Sequence, residues 1–122
     1  MTIKAKSIVW AGIGTDHYAE TLLLFRDVLG LEIETEGQDQ VILRTENGDH
    51  VELFGRDGRG KSLNRPPTIA FEVDDVAAAR EQLVKAGVEI VGEIGAWNGH
   101  EGLYFRSPDG YLFEVKTVPP RG

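Results

Sequence analysis

Apolar and polar positions along this chain follow two periods in turn, and the whole alternation runs twice. Ser7 to Gly14 is an apolar, β-branched stretch and predicts a strand. Tyr18, Leu22, Phe25 and Leu29 then recur at three- and four-residue steps, predicting a helix with one apolar stripe. Asp16 is placed to cap its start and Gly30 to end it. Three strands fit next, at 31–36, 40–46 and 50–54, with Asn47-Gly48-Asp49 as the hairpin turn between the last two. Residues 55–66, GRDGRGKSLNRP, read as a linker rich in glycine and basic residues. The order then returns. Thr68 to Val73 is a strand, Asp74 caps a helix with the stripe Val76, Ala79, Leu83 and Ala86, and Gly87 ends it. Strands follow at 88–94, 102–106 and 111–117, with Ser107-Pro108-Asp109-Gly110 as a turn. Residues 95–101, GAWNGHE, are read as a loop holding the extra length of the second half.

Each half is therefore strand, helix, three strands. Leu29-Gly30-Leu31-Glu32-Ile33 matches Ala86-Gly87-Val88-Glu89-Ile90, and Gly48…Glu52 matches Gly110…Glu114. Glu52 and Glu114 thus hold equivalent places. Duplicated units stack and create a cleft between them. The predicted organisation is a single α+β domain with module one at about 1–55, a linker at 56–66 and module two at about 67–119. A half of about 60 residues would bury only about 60% of its unfolded surface alone, so the halves share one fold or complete it in a dimer.

Composition narrows the function classes. Thirteen Lys plus Arg against twenty Asp plus Glu give a net charge of −7, which argues against a nucleic-acid binder and permits a cationic ligand. Without cysteine, disulfides and thiolate metal sites are excluded, and a cytoplasmic location is expected. No apolar run approaches a membrane span, and the N-terminus lacks a signal-peptide core. Gly55 to Ser62 matches a phosphate-binding loop letter for letter. That loop needs a helix starting directly after it. Pro66 and Pro67 follow too closely to leave room, so a solvated linker is expected.

Three stretches carry a resemblance: Phe25-Arg26-Asp27-Val28-Leu29-Gly30-Leu31, Ile69-Ala70-Phe71-Glu72-Val73-Asp74-Asp75, and Tyr104-Phe105-Arg106-Ser107-Pro108-Asp109-Gly110-Tyr111-Leu112-Phe113-Glu114. Together they resemble the vicinal oxygen chelate superfamily of glyoxalase I, bleomycin-resistance proteins, fosfomycin-resistance enzymes and extradiol dioxygenases. The resemblance implies two βαβββ modules forming a curved mixed sheet around a cleft, with the helices on the outer face, and a homodimer. It also implies four metal-ligand positions, usually His in the first strand and Glu in the last strand of each module. These fall on Trp10, Glu52, Thr68 and Glu114, so both glutamates match and both histidines are missing. The turn after the first strand is read as differing in length by one residue, and a shift by one would put Val9 in place of Trp10.

Trp offers no lone pair to a metal, and Thr is a poor ligand for a transition metal. The expectation is a metal-free cleft binding a small aromatic or cationic ligand. Strand alternation puts His50 and Phe54 on one face with Glu52, and Trp97 adds a further flat surface. Trp10, His50, Glu52, Phe54, Thr68, Glu114 and Trp97 are the predicted ligand-binding residues, Tyr104 or Phe105 joining them. The alternative is a metal-dependent lyase, isomerase or dioxygenase with a divalent metal at a relocated site of His50, Glu52 and Glu114, the first two about 7 Å apart on one strand face. A third possibility is acid–base catalysis by Glu52 or Glu114 in an apolar cleft. Against these stand plainer roles: Trp10 as core filler, the glutamates paired with Lys116 or Arg106, and His17 and His100 as exposed residues.

Overall fold

The computed structural model describes residues 3–56, 58–108 and 110–119; Asp57 of the expected linker and Asp109 of the expected turn lie outside them. Two compact units divide the chain: Trp10–Thr68, and Met1–Val9 together with Ile69–Gly122. Residues 3–9 thus group with the second half. Lys6 N–H donates to the Glu72 carbonyl at 2.9 Å, and Glu72 N–H to that of Ser7 at 2.8 Å.

The first module runs β1 (Ile8–Gly14), α1 (Tyr18–Leu23) with a π-helical turn (Leu24–Val28), β2 (Glu32–Gly37), β3 (Gln40–Arg44), β4 (His50–Phe54) and α2 (Gly58–Leu63). Its strands lie in the order β2-β3-β4-β1. β1 is parallel to β4 and the other pairs are antiparallel. Buried Val41, Leu43 and Leu53 form its core under Tyr18, Leu22, Phe25 and Leu31. Alternation on β4 therefore sends Leu53 to the helix side and His50, Glu52 and Phe54 to the other.

Leu29, expected in the apolar stripe, is 59% exposed. The π turn is the reason. Leu29 N–H reaches the Leu24 carbonyl at 3.0 Å, a five-residue span that rotates later side chains off the 3.6-residue phase. Gly30 (φ +78) then reverses the chain, Leu31 N–H donates to the Phe25 carbonyl, and Leu31 takes the core position.

The second module runs β5 (Thr68–Glu72), α3 (Val76–Lys85), β6 (Glu89–Trp97), β7 (His100–Arg106) and β8 (Leu112–Lys116), with strands in the order β5-β8-β7-β6. Val73, Val76, Ala79, Leu103 and Val115 are its buried core, with Leu83, Ile90 and Phe105 packed on them. Phe71, Phe113 and Phe105 stack in a row on the same side, at 6.3 and 5.9 Å between centroids. Ala86, expected in the stripe, is the exposed C-cap. Gly87 N–H donates to Val84 and Val88 N–H to Leu83, the Schellman pattern that satisfies end carbonyls. Each module is thus strand–helix–three strands, and the fold is α+β.

Both helix starts differ from expectation. Asp75 caps α3, accepting from Ala78 N–H at 3.0 Å, while Asp74 takes a salt bridge from Lys6 at 2.8 Å. The N-cap of α1 is His17, without a side-chain cap bond. Asp16 instead accepts from Lys61 at 2.6 Å and Arg65 at 2.8 Å.

Two loop assignments are also corrected. The 95–101 segment is a hairpin: Trp97 pairs with His100, and Asn98 (φ 48) and Gly99 (φ 80) form the turn. Positive φ at both central residues is what a two-residue hairpin with right-twisted strands requires. The linker holds α2, short enough to finish before Pro66. Lys61 and Ser62 lie inside this helix rather than ahead of one, so the residues of the phosphate-loop match do not form that loop.

Candidate functional site

Strand register settles which residues are equivalent. Glu52 is partnered by Gly12 on β1, and Glu114 by Ala70 on β5. Trp10 and Thr68 each stand two residues before that partner. From Gly12 to the N-cap His17, and from Ala70 to the N-cap Asp75, the chain takes the same five steps. The turn after the first strand is therefore equal in the two modules. The extra residue of module one lies in the helix, where the π turn absorbs it. Trp10 keeps the first-strand position and no shift to Val9 is needed.

In module one Trp10 is 7% exposed. Its Nε1–H donates to Glu52 Oε1 at 3.2 Å, and Gln40 Nε2 donates to Glu52 Oε2 at 2.7 Å. The carboxylate is thus held at both oxygens by neutral N–H donors from β1 and β3. The indole lies over Gly12, where an added Cβ would collide with the Trp10 ring and with Asn64 Oδ1. Phe54 packs on Gly60 of α2, where a Cβ would come within 2.5 Å of the Phe54 ring. His50 does not join Glu52; its Nε2 lies 2.9 Å from Glu34 Oε2.

In module two Glu114 is 2% exposed and Thr68 fully buried. Tyr104 is the register partner of Glu114 on β7 and shares its face, while Phe105 turns to the core, which decides between the two. Leu112 and Lys116 flank Glu114 and are buried too. A Cβ at Gly102 would collide with Glu114 Oε2 and stand 3.4 Å from Trp97 Cη2. The Trp97 indole, half-exposed, lies over Gly95 of its own strand, where a Cβ would come within 2.6 Å of Cζ3, and its tip reaches toward Gly102 and the carboxylate. Its edge meets His100 at 4.9 Å between centroids, so His100 is a strand residue against an indole rather than part of a long loop.

Sequence reasoning missed Gln40 and Asn64. The alternation of Val41 and Leu43 would have put Gln40 on the Glu52 face, given the β3–β4 register. Asn64 carries no such signal, because the segment reads as linker. Electrostatics concentrate elsewhere in module one. Hydrogen bonds from Lys61 and Arg65 hold the Asp16 carboxyl down at about 2. Burial first, then Glu36 and Asp39, pushes the Tyr18 phenol up. A hollow of about 480 Å³ opens there, lined by Thr15, Asp16, His17, Tyr18, Asp39 and Lys61 among others, and none of the predicted site residues borders it. Its charges are largely cancelled by their own pairs, so the Glu52 face is the better candidate.

Two strand–helix–three-strand modules with a glutamate on each last strand define a class of small α+β proteins. The chain belongs to the Glyoxalase/Bleomycin resistance protein/Dioxygenase superfamily, whose model matches residues 7–115. No curated protein matches it. Among solved structures it is similar to the Mn(II)-bound glyoxalase from Novosphingobium aromaticivorans, at 26% identity and a TM-score of 0.79 over 95% of this chain. The chain spans 40% of that protein's length. Methylmalonyl-CoA epimerase from Mycobacterium tuberculosis shares the fold at 18% identity and a TM-score of 0.74, over 95% of this chain and 90% of that one. An extradiol ring-cleaving dioxygenase from B. fuscum shares it at 19% and 0.75, over 97% of this chain and 34% of that one. One fold serving an epimerase and a dioxygenase leaves function to the site.

The metal that the family implies does not fit these residues. Of the four implied ligand positions, two carry an indole and a hydroxyl, and Glu52 is held by N–H donors. Among the described residues no group of three or more His, Asp or Glu side chains is arranged to hold a metal ion. His50, the imidazole of the relocated set, is turned to Glu34.

Proposed function

We propose that this superfamily member binds a small organic ligand, aromatic and cationic, directly on the Glu52 face of its first module and without a metal. The observation that carries the reading is the pair of hydrogen bonds from Trp10 and Gln40 to the two oxygens of Glu52. They fix a carboxylate beside an indole. A carboxylate supplies charge for an ammonium or amidinium group, and an indole favours a cation electrostatically. The missing imidazoles support direct binding over coordination, and the net charge of −7 favours approach of a cation.

The test is a fluorescence titration of chelator-treated protein with phenethylammonium and with its neutral counterpart, 2-phenylethanol. Saturable quenching by the cation, weakened at least about tenfold in Glu52→Gln, is the expected result, a charge-assisted contact being worth about that much. Equal binding of the two probes, or binding seen only after Mn²⁺ is added, would overturn the reading.

A further inference from the structure

We infer that Asn64 selects, among the ligands of this site, those that carry N–H donors on their cationic group; the inference rests on the organic-ligand reading above. Asn64 directly follows α2 and is 4% exposed. Its Nδ2 donates to the Gly60 carbonyl at 2.7 Å. Its backbone N–H points to the same carbonyl at 3.3 Å, and its own carbonyl accepts from Gly14 N–H at 3.0 Å. Oδ1 is the exception: it is buried and has no hydrogen-bond partner among the described residues.

That oxygen points into a particular place. A Cβ on Gly12 would collide with Asn64 Oδ1 and with Trp10 Cη2, and would stand 2.7 Å from Trp10 Cζ2. Gly12 is in turn the register partner of Glu52. An amide acceptor and an indole edge therefore stand over one glycine, and the same indole bonds the carboxylate of that glycine's strand partner. The three agree in chemistry. An amide oxygen and a carboxylate only accept hydrogen bonds, and the indole edge is apolar. The set suits a primary ammonium, amidinium or guanidinium on an aromatic body, and repels an anion.

Buried polar atoms are nearly always partnered, because an unpartnered one forfeits its hydration. Here the partner is the ligand. The wall between Oδ1 and the Glu52 face is the Trp10 indole, tethered to Glu52 by one 3.2 Å hydrogen bond. A ligand ammonium takes over the Trp10 hydrogen bond to Glu52 while Gln40 keeps the carboxylate in place; the indole edge moves off Gly12 but stays beside the cation, and a second N–H reaches Asn64. The backbone around Oδ1 stays fixed meanwhile, since Lys61 and Arg65 pin the ends of this segment to Asp16.

Phenethylammonium and its N,N,N-trimethyl analogue carry the same charge and ring, but only the first has N–H donors. Binding of both is measured on the wild type, Asn64→Leu and Asn64→Asp, with the melting temperature of each. The wild type should prefer the primary ammonium, and Asn64→Leu should lose about five- to tenfold of that preference, the worth of one hydrogen bond. The trimethyl analogue should bind both alike within about twofold. Asn64→Asp, which keeps the acceptor, should retain the preference; Asn64→Ala gives the same readout as Asn64→Leu if the latter does not fold. An unchanged preference in Asn64→Leu overturns the role of Asn64 while leaving the Glu52 site standing. Equal loss of both probes at unchanged melting also overturns it, since Asn64 would then serve binding in general. Failure of the wild type to bind either probe overturns both readings together.

Discussion

In each module a glutamate on the last strand sits beside an indole that lies over a glycine: Glu52 with Trp10 on Gly12, and Glu114, itself packed on Gly102, with Trp97 on Gly95. The indoles come from different strands, β1 and β6, so the likeness is in the result rather than in the duplicated positions. Gly12 and Gly102 are both required by volume. Gly12→Ala and Gly102→Ala should each destabilise by about 1–3 kcal/mol, the range for overpacking, as read by urea denaturation; a neutral Gly12→Ala would mean that the indole does not rest there. Asp16 supports a prediction about pH. Its folded pKa, about 2, lies below the ordinary carboxylate value near 4. Its contribution is therefore complete above about pH 4 and lost as pH falls to about 2. Protection of Gly14 N–H, which holds Asn64, against hydrogen exchange relative to the intrinsic rate at each pH should fall over that window, and Asp16→Asn should show the lower protection already at neutral pH. Protection indifferent to both would remove Asp16 as the anchor of this segment.

The elements were legible in the sequence wherever one period ran unbroken. The β3 and β4 stretches and the α3 stripe up to Leu83 follow directly from alternation and from three- and four-residue spacing. The spacing failed at Leu29 because it assumes one residue count per turn, and the π turn at Leu24–Val28 changes that count without leaving a mark in residue type. Leu29→Ala should accordingly shift stability by less than about 0.5 kcal/mol, as an exposed position does. Leu43→Ala, in the core, should cost about 2–5 kcal/mol. Thermal denaturation of the pair distinguishes the observed packing from the expected stripe. Deleting Val28, 74% exposed, should convert the π turn to α-helix and leave the fold intact, whereas deleting Ala78 from the regular α3 should not be tolerated. Asn98-Gly99 is a residue pair suited to a hairpin turn, but comparing the two halves by length alone turns it into spare length. α2 was hidden by its own composition, since glycine and charge describe a linker as well as a short helix.

At the scale of the molecule, duplication was the strongest signal, because matched turns paired Glu52 with Glu114 before any register was known, and the family resemblance added Trp10 and Thr68. The β1–β4 and β5–β8 registers bear out that equivalence. The neighbours that decide chemistry were not legible. Gln40 on Glu52, and Asn64 over Gly12, depend on lateral strand pairing and on a helix in the linker, which periodicity along the chain does not encode. Among the described residues no helix is long and apolar enough to cross a membrane. In the proposed function Glu52 meets an organic cation without a metal, whereas the similar glyoxalase from Novosphingobium aromaticivorans is Mn(II)-bound. Isothermal calorimetry of chelator-treated protein with phenethylammonium tests this most directly. Saturable binding that Mn²⁺ does not strengthen and Glu52→Gln weakens at least about tenfold is the predicted result; no heat until Mn²⁺ is restored, followed by tight binding, would contradict it.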